Sequence, residues 1–189
     1  MKTGRGTIGL VAALLIVFGI ELATRSVGDD ASLLKLGALP DNGELNGQYW
    51  CFASYSFLHF NWTHLVVNLA LLLWIGRIVE RRVGAAQAGA IYISSVIFSA
   101  AVILLVHIWH PKAGATVGAS GGIFGLLGAA LVISYRQRSN DRLRGWLWIV
   151  LLVGFGVSFL PDISMAGHIG GIIGGVSTAS MLKIPRNEN

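Results

Sequence analysis

The chain has 189 residues, 54% hydrophobic and only 12% charged, with 25 glycines and a mean hydropathy of +0.68. An ordinary soluble domain carries about 25% charged residues, so this composition cannot furnish a normal water-exposed surface, and residues 1–189 read as a single membrane domain. Disorder and collagen are excluded by the dominant apolar runs and the absence of a three-residue glycine period, and a disulfide scaffold by the lone cysteine, Cys51.

A spanning helix needs roughly 20 apolar residues, with about 17 as the lower limit. Uncharged runs predict six spans in chain order: Thr7 to Ile20, Trp62 to Gly76, Ala85 to Ile108, Ala119 to Ser134, Trp146 to Leu160 and Ser164 to Leu182. The first run follows Lys2 and Arg5 and has a signal-peptide alternative, but Glu21-Leu22-Ala23-Thr24-Arg25 is a poor cleavage site. Residues 25–61 form the one long connection, with a turn signal at Leu39-Pro40-Asp41-Asn42-Gly43 and an aromatic stretch from Tyr49 to Phe60. That content predicts an ordered loop leaning on the bilayer. Several spans are short for lipid-exposed helices, which implies that some helix ends are sunk below the membrane surface.

Six spans put both terminal segments on one side. That side holds Lys2, Arg5, Arg77, Arg81, Arg82, Arg136, Arg138, Arg142, Arg144, Lys183 and Arg186 against Glu80, Asp141 and Glu188. The other holds Arg25, Lys35 and Lys112 against Glu21, Asp29, Asp30, Asp41, Glu44 and Asp162. The positive-inside rule makes the first side cytoplasmic. The two sides together account for the net charge of +5, so the basic balance follows from topology and no nucleic-acid partner is implied. Trp50, Trp62 and Trp109 fit the outer interface, and Trp74, Trp146 and Trp148 the inner one. Glu80 is expected to pair with Arg77 or lie near Arg81 at the cytoplasmic helix end, and His59, His107 and His110 to be interfacial loop residues. Cys51 is expected to be an apolar filler or a loop thiol.

Polar groups inside apolar spans are costly unless they meet a partner or a cavity, and four stand out. His64 and Asn68 lie four apart on the second span and so share a helix face. Ser120 opens the fourth span within Gly118-Ala119-Ser120-Gly121-Gly122, and His168 lies in the sixth within Ala166-Gly167-His168-Ile169-Gly170-Gly171. At about 1.5 Å per residue from the first cytoplasmic basic residue, Ser120, His168 and His64 sit at about 24, 22 and 20 Å, with Asn68 deeper at about 14 Å. Three groups thus share a level below the outer surface of a hydrocarbon layer about 30 Å thick. The segment from Pro111 to Gly118 must then dip into the bilayer, which is tolerated only within protein or around a water-filled cavity. Gly167, Gly171 and Gly175 form a small-residue ridge, and Gly121 and Gly125 a matching groove, that would carry His168 toward Ser120.

A serine hydroxyl becomes nucleophilic when a base such as neutral imidazole takes its proton. Acyl transfer also needs donors for the oxyanion, and the unpaired N–H groups at the start of the fourth helix, with His64 and Asn68, can supply them. No carboxylate lies in the spans at this level, which favours a Ser–His dyad over a triad.

At these residues the sequence resembles the rhomboid family of intramembrane serine proteases. The resemblance covers roughly residues 37–178 and rests on Gly118-Ala119-Ser120-Gly121, on His64-x-x-x-Asn68 and on Gly167-His168-x-x-Gly171. Phe57-Leu58-His59, then Gly76, Glu80 and Gly84, also look like the family's second-helix region, and Phe124 resembles the aromatic residue that packs on the catalytic histidine in some members. The resemblance implies an all-α, six-transmembrane-helix bundle with its catalytic core over about residues 57–178 and both termini cytoplasmic in a bacterial inner membrane. It implies Ser120 as nucleophile, His168 as general base and acid, His64 and Asn68 as oxyanion stabilisers, and Gly118, Gly121 and Gly171 as motif glycines. A single-pass membrane protein is the implied substrate, with no metal or organic cofactor. Where many members carry Trp-Arg in the first external loop, this chain reads Trp50-Cys51. The rhombosortase branch, which processes glycine-rich C-terminal anchors, is compatible with the chain's compactness.

Taken singly, each signal has a simpler meaning. Ser120 in a glycine cluster suits helix packing, and His64 with Asn68 an interfacial polar pair. His64 and His168 as haem ligands would make an electron-transfer protein, and glycine-interrupted helices also occur in transporters, although the polar groups gather near one face and no inverted repeat is evident. A catalytically silent client-binding rhomboid is a further alternative, against which both dyad residues are intact.

Overall fold

The computed structural model describes residues 4–160 and 163–183; Lys2, Asp162, Arg186 and Glu188, all used in the charge count, lie outside the described residues. Apolar sequence becomes helix because only a helix satisfies its own backbone in lipid. The elements are α1 (Arg5–Ala23), α2 (Asp30–Leu36), β1 (Leu39–Pro40), α3 (Cys51–Ser54), α4 (Trp62–Leu71), α5 (Arg77–Val83), α6 (Ala85–Trp109), β2 (Ala115–Thr116), α7 (Ser120–Arg136), α8 (Asp141–Val157) and α9 (Met165–Met181). Among the described residues three helices are long and apolar enough to cross a membrane: Arg5–Ala23, Trp62–Val83 and Ala85–Trp109. The second of these is α4 and α5 made continuous by a widened π turn at Leu72–Gly76. The 17 residues each of α7, α8 and α9 stand at the lower length limit for a span.

The protein is thus mostly helical, with two departures from the expected elements. One is a two-stranded antiparallel ladder, Leu39 opposite Thr116 and Pro40 opposite Ala115, which clasps the external loop to the segment before α7. The other is that helices run through the charges taken as span boundaries: Glu21 lies inside α1, Arg77, Glu80, Arg81 and Arg82 inside α5, and Asp141, Arg142 and Arg144 inside α8. Backbone hydrogen bonding continues past a charged side chain wherever that side chain finds water or a partner.

Glu80 extends the sequence expectation. Its buried carboxylate accepts from Gly6 N–H at 3.0 Å, Thr7 N–H at 2.8 Å and Thr7 Oγ1 at 2.7 Å, so the start of α1 binds it in addition to the charge of nearby Arg77. The first N–H groups of a helix have no intrahelical partner, and an anion there is favourable. The widened turn alters the phase of the helix that carries Glu80, and Gly76 within it leaves room for Thr7, whose Cγ2 would stand 2.9 Å from a Cβ.

The core is α6, α7 and α9 packed together. Between helices in lipid the hydrophobic effect is weak, so close approach of small residues supplies the contact. A Cβ on Gly171 would collide with the Gly121 carbonyl, and one on Gly175 with the Gly125 carbonyl, as the ridge and groove require. Gly167 departs from that ridge: its neighbours are Ile103, Ser164 and Ser99. Helix α7 is buried along most of its length, whereas α8 buries only Leu147 among its described residues and packs chiefly on α7.

The external loop is ordered as expected. Asp41 is its anchor, 5% exposed: its carboxylate accepts from Thr116 Oγ1 at 2.6 Å and lies 3.4 Å from both His107 Nδ1 and Lys112 Nζ. Its backbone exchanges bonds with Gly114 and Lys112. His107 is therefore a buried partner of Asp41 and not an interfacial loop residue, because α6 continues past it to Trp109. Cys51 is buried as an apolar filler; burial pushes its thiol above the usual range.

Candidate active site

Three helix starts build the site. Asn61 Oδ1 caps α4 by accepting from His64 N–H at 2.8 Å, and Ser164 Oγ caps α9 by accepting from Gly167 N–H at 3.1 Å. Each cap satisfies one otherwise unpaired donor and fixes the turn from which a histidine projects. Helix α7 begins after Gly118, whose φ of +123° lies in a region that residues with a Cβ avoid. Gly118 N–H donates to the Tyr55 carbonyl at 2.9 Å, which ties the start of α7 to the turn preceding His59. The early N–H groups of α7, beside Ser120, have no intrahelical partner.

His64 and His168 are placed by contacts with α7, Ser120 opens that helix and Asn68 lies one turn along α4 from His64, and no hydrogen bond joins Ser120 to His168 among the described residues. The His64 ring lies against Gly118, where a Cβ would come within 2.6 Å of Cε1 and Nε2. His168 is buried and stacks on Phe124 with ring centroids 3.8 Å apart and planes 11° apart; Phe124 is one turn beyond Ser120 on α7. Ser120 is half-buried, and its hydroxyl makes no hydrogen bond among the described residues. The Gly171–Gly121 contact holds α9 on α7 beside it. Asn68 is buried, and one amide hydrogen goes to the His64 carbonyl at 2.9 Å, so its other hydrogen is the one left for a ligand.

Sequence reasoning did not single out Ser158 and misplaced His59. Ser158, at the end of α8, is 3% exposed and its Oγ lies 2.6 Å from His168 Nδ1. No periodicity marks it; only the approach of α8 to α9 reveals it. His59 was expected to be interfacial and is instead fully buried, its ring edge-on to His64 with centroids 5.1 Å apart. Its backbone N–H donates to the Glu21 carboxylate at 2.8 Å. Burial, reinforced by the nearby His64, pushes the His59 imidazole down to about 3, so it is neutral at physiological pH. Among the described residues no group of three or more His, Cys, Asp or Glu side chains is placed to hold a metal ion.

A buried imidazole, a half-buried hydroxyl at a helix start, a second imidazole against the same turn and free backbone N–H groups make a set suited to nucleophilic acyl transfer. Residues 46–184 match the family model described as the Rhomboid domain. The chain is 32% identical over 177 residues to the rhomboid protease GluP of Bacillus subtilis, covering 92% of this chain and 34% of that protein. It is 32% identical over 148 residues to RHOMBOID-like protein 5 of Arabidopsis thaliana, covering 76% and 47%. It is 26% identical over 188 residues to the rhomboid protease GlpG of Serratia proteamaculans, covering 94% and 63%. The chain spans less than two thirds of the length of each of these relatives.

Proposed function

The chain belongs to the rhomboid family, and from that membership and the site geometry we propose that it is an intramembrane serine endopeptidase that cleaves transmembrane-anchored proteins near the external membrane face. The observation that carries the reading is the His168 ring stacked on Phe124, one turn from Ser120 on α7, with His64 against Gly118 of the same turn.

In the proposed reaction Ser120 Oγ attacks the scissile carbonyl carbon as His168 takes the hydroxyl proton. The tetrahedral oxyanion is held by the first N–H groups of α7 with His64 and Asn68. The C–N bond breaks, His168 gives its proton to the leaving amine, and an ester to Ser120 remains. Water then attacks the ester with its proton going to His168, and collapse returns that proton to Ser120 and frees the carboxylic acid. No step calls for a metal or an organic cofactor.

The proposed substrate is a single-pass helix that enters beside α8, the least buried of the later helices, and unwinds at the site. Gly154 and Gly156 give that helix little side-chain bulk. Six spans, with both termini cytoplasmic in a bacterial inner membrane, complete the reading; the support for orientation is the excess of Arg and Lys at the ends of α5, α7 and α8.

Purified protein in proteoliposomes is expected to be labelled at Ser120 by a fluorophosphonate and to cut a model transmembrane substrate. Ser120→Ala and His168→Ala are expected to abolish cutting while leaving the protein folded in detergent. Undiminished cleavage by Ser120→Ala would refute the assignment. A pyridine haemochrome spectrum separates the haem alternative, and offering a substrate with a glycine-rich C-terminal anchor beside an ordinary single-pass one separates the rhombosortase reading.

A further inference from the structure

The dyad reading leaves unexplained what fixes the imidazole. A histidine base must carry its proton on the nitrogen remote from the nucleophile, and a second hydrogen-bonding group normally decides which nitrogen that is. In triads a carboxylate does so, and the wrong tautomer is nearly inactive. His168 has no carboxylate partner among the described residues. Its Nδ1 instead lies 2.6 Å from Ser158 Oγ, with both residues buried.

The direction of that bond follows from hydrogen counting. A serine hydroxyl has one hydrogen and two lone pairs. Ser158 directs its hydrogen to the Gly154 carbonyl, one turn back on α8, at 2.9 Å. Both contacts are hydrogen bonds at once only if Ser158 accepts from His168, which puts the ring proton on Nδ1 and leaves Nε2 bare. The ring is thereby fixed in its plane by Ser158 and across its face by Phe124. Phe124 in turn rests on α8: a Cβ at Gly154 would stand 2.6 Å from its Cζ. Both constraints on the imidazole therefore reach α8, the helix least embedded in the bundle.

We propose that Ser158 is the positioning residue of the base: its hydroxyl holds His168 as the Nδ1–H tautomer with Nε2 free for Ser120, and makes the base's readiness depend on α8 lying against the bundle. This rests on the protease reading for its purpose, but the tautomer can be observed without activity. A substrate helix that displaces α8 to enter removes the partner of the base, and the return of α8 restores it, so entry and chemistry occupy successive positions of one helix.

The test uses full-length protein labelled with ¹⁵N-histidine. The His168 ring, assigned by comparison with His168→Ala, is expected to show a protonated Nδ1 and an unprotonated Nε2 at neutral pH, and Ser158→Ala to show mixed tautomers. Ser158→Ala is further expected to lower kcat on a model transmembrane substrate by about two- to tenfold, the worth of one neutral hydrogen bond, with KM little changed. Ser158→Thr, which keeps a hydroxyl able to bond both partners, is expected to restore it. An Nε2–H ring in the wild type overturns the proposal, as does a Ser158→Ala variant with wild-type kcat and an unchanged ring spectrum. If Ser158→Ala does not fold, the wild-type spectrum and the Ser158→Thr rate still decide. Failure of fluorophosphonate to label Ser120 while the ring is Nδ1-protonated would instead count against the protease reading.

Discussion

The candidate site residues differ in how their chemistry shows in the chain. Ser120, His64, Asn68 and His168 are legible because each is a polar group in apolar surroundings, and cost alone marks it. Ser158 and His59 are not, since a serine at a helix end and a histidine in a loop are ordinary until neighbouring helices enclose them. The two expected oxyanion donors also differ: the His64 ring lies against Gly118, while Asn68 has committed one hydrogen to its own helix. His64→Ala is therefore expected to lower turnover more than Asn68→Ala. Single oxyanion donors are typically worth about 10² to 10³ in rate, and steady-state kinetics on one substrate gives the order. His59 supplies a pH prediction. Its folded-state value of about 3 lies below an unfolded value of about 6.5, so below that value the unfolded chain binds a proton that the native one refuses. Stability from this residue is full above about pH 6.5 and is lost as the pH falls toward 3. Thermal melts in detergent at pH 7 and pH 4.5 are expected to show a smaller drop for His59→Asn than for the wild type, and equal drops would contradict it.

At the scale of elements, glycine spacing was the most reliable guide to packing. Gly171 and Gly175 on α9 meet Gly121 and Gly125 on α7 through backbone carbonyls, an approach that any side chain prevents. Overpacking in a tight interior costs about 1–3 kcal/mol, and here the obstacle is backbone, which relaxes poorly. Gly171→Ala is expected to lower the melting temperature and to cut activity further by moving His168 from Ser120, whereas Gly156→Ala, with no neighbour within 4 Å, is expected to leave both near wild type. Boundaries were less legible. Charge did not mark the helix ends, and Glu80 is bound by the start of α1, a contact between residues 73 positions apart that no local pattern announces. The ladder joining β1 to β2 was hidden for the same reason, because two-residue strands carry no periodicity.

For the whole molecule, composition alone indicates a membrane protein, and charge distribution predicts an orientation. Single-cysteine labelling in a Cys51→Ala background tests that orientation. Lys112→Cys is expected to react with an impermeant maleimide on intact spheroplasts, and Arg138→Cys only after permeabilisation; the reverse pattern would invert the topology. The charge sum could not reveal the layering that burial shows, with α7 enclosed and α8 peripheral. That arrangement depends on which small residues face which helices, and a hydropathy profile does not distinguish faces.

Asp41 gives the external loop a strength of its own. Residues before it are bound through the ladder and the contacts with His107, Lys112 and Thr116, and residues after Cys51 through the Tyr55–Gly118 bond. Between these moorings, Asn42, Glu44, Asn46 and Gly47 are exposed. Both ends of that stretch are tethered, so a cut within it is expected to leave the two fragments fastened to the strip of backbone that leads into α7, and co-purification of the halves after limited proteolysis checks it.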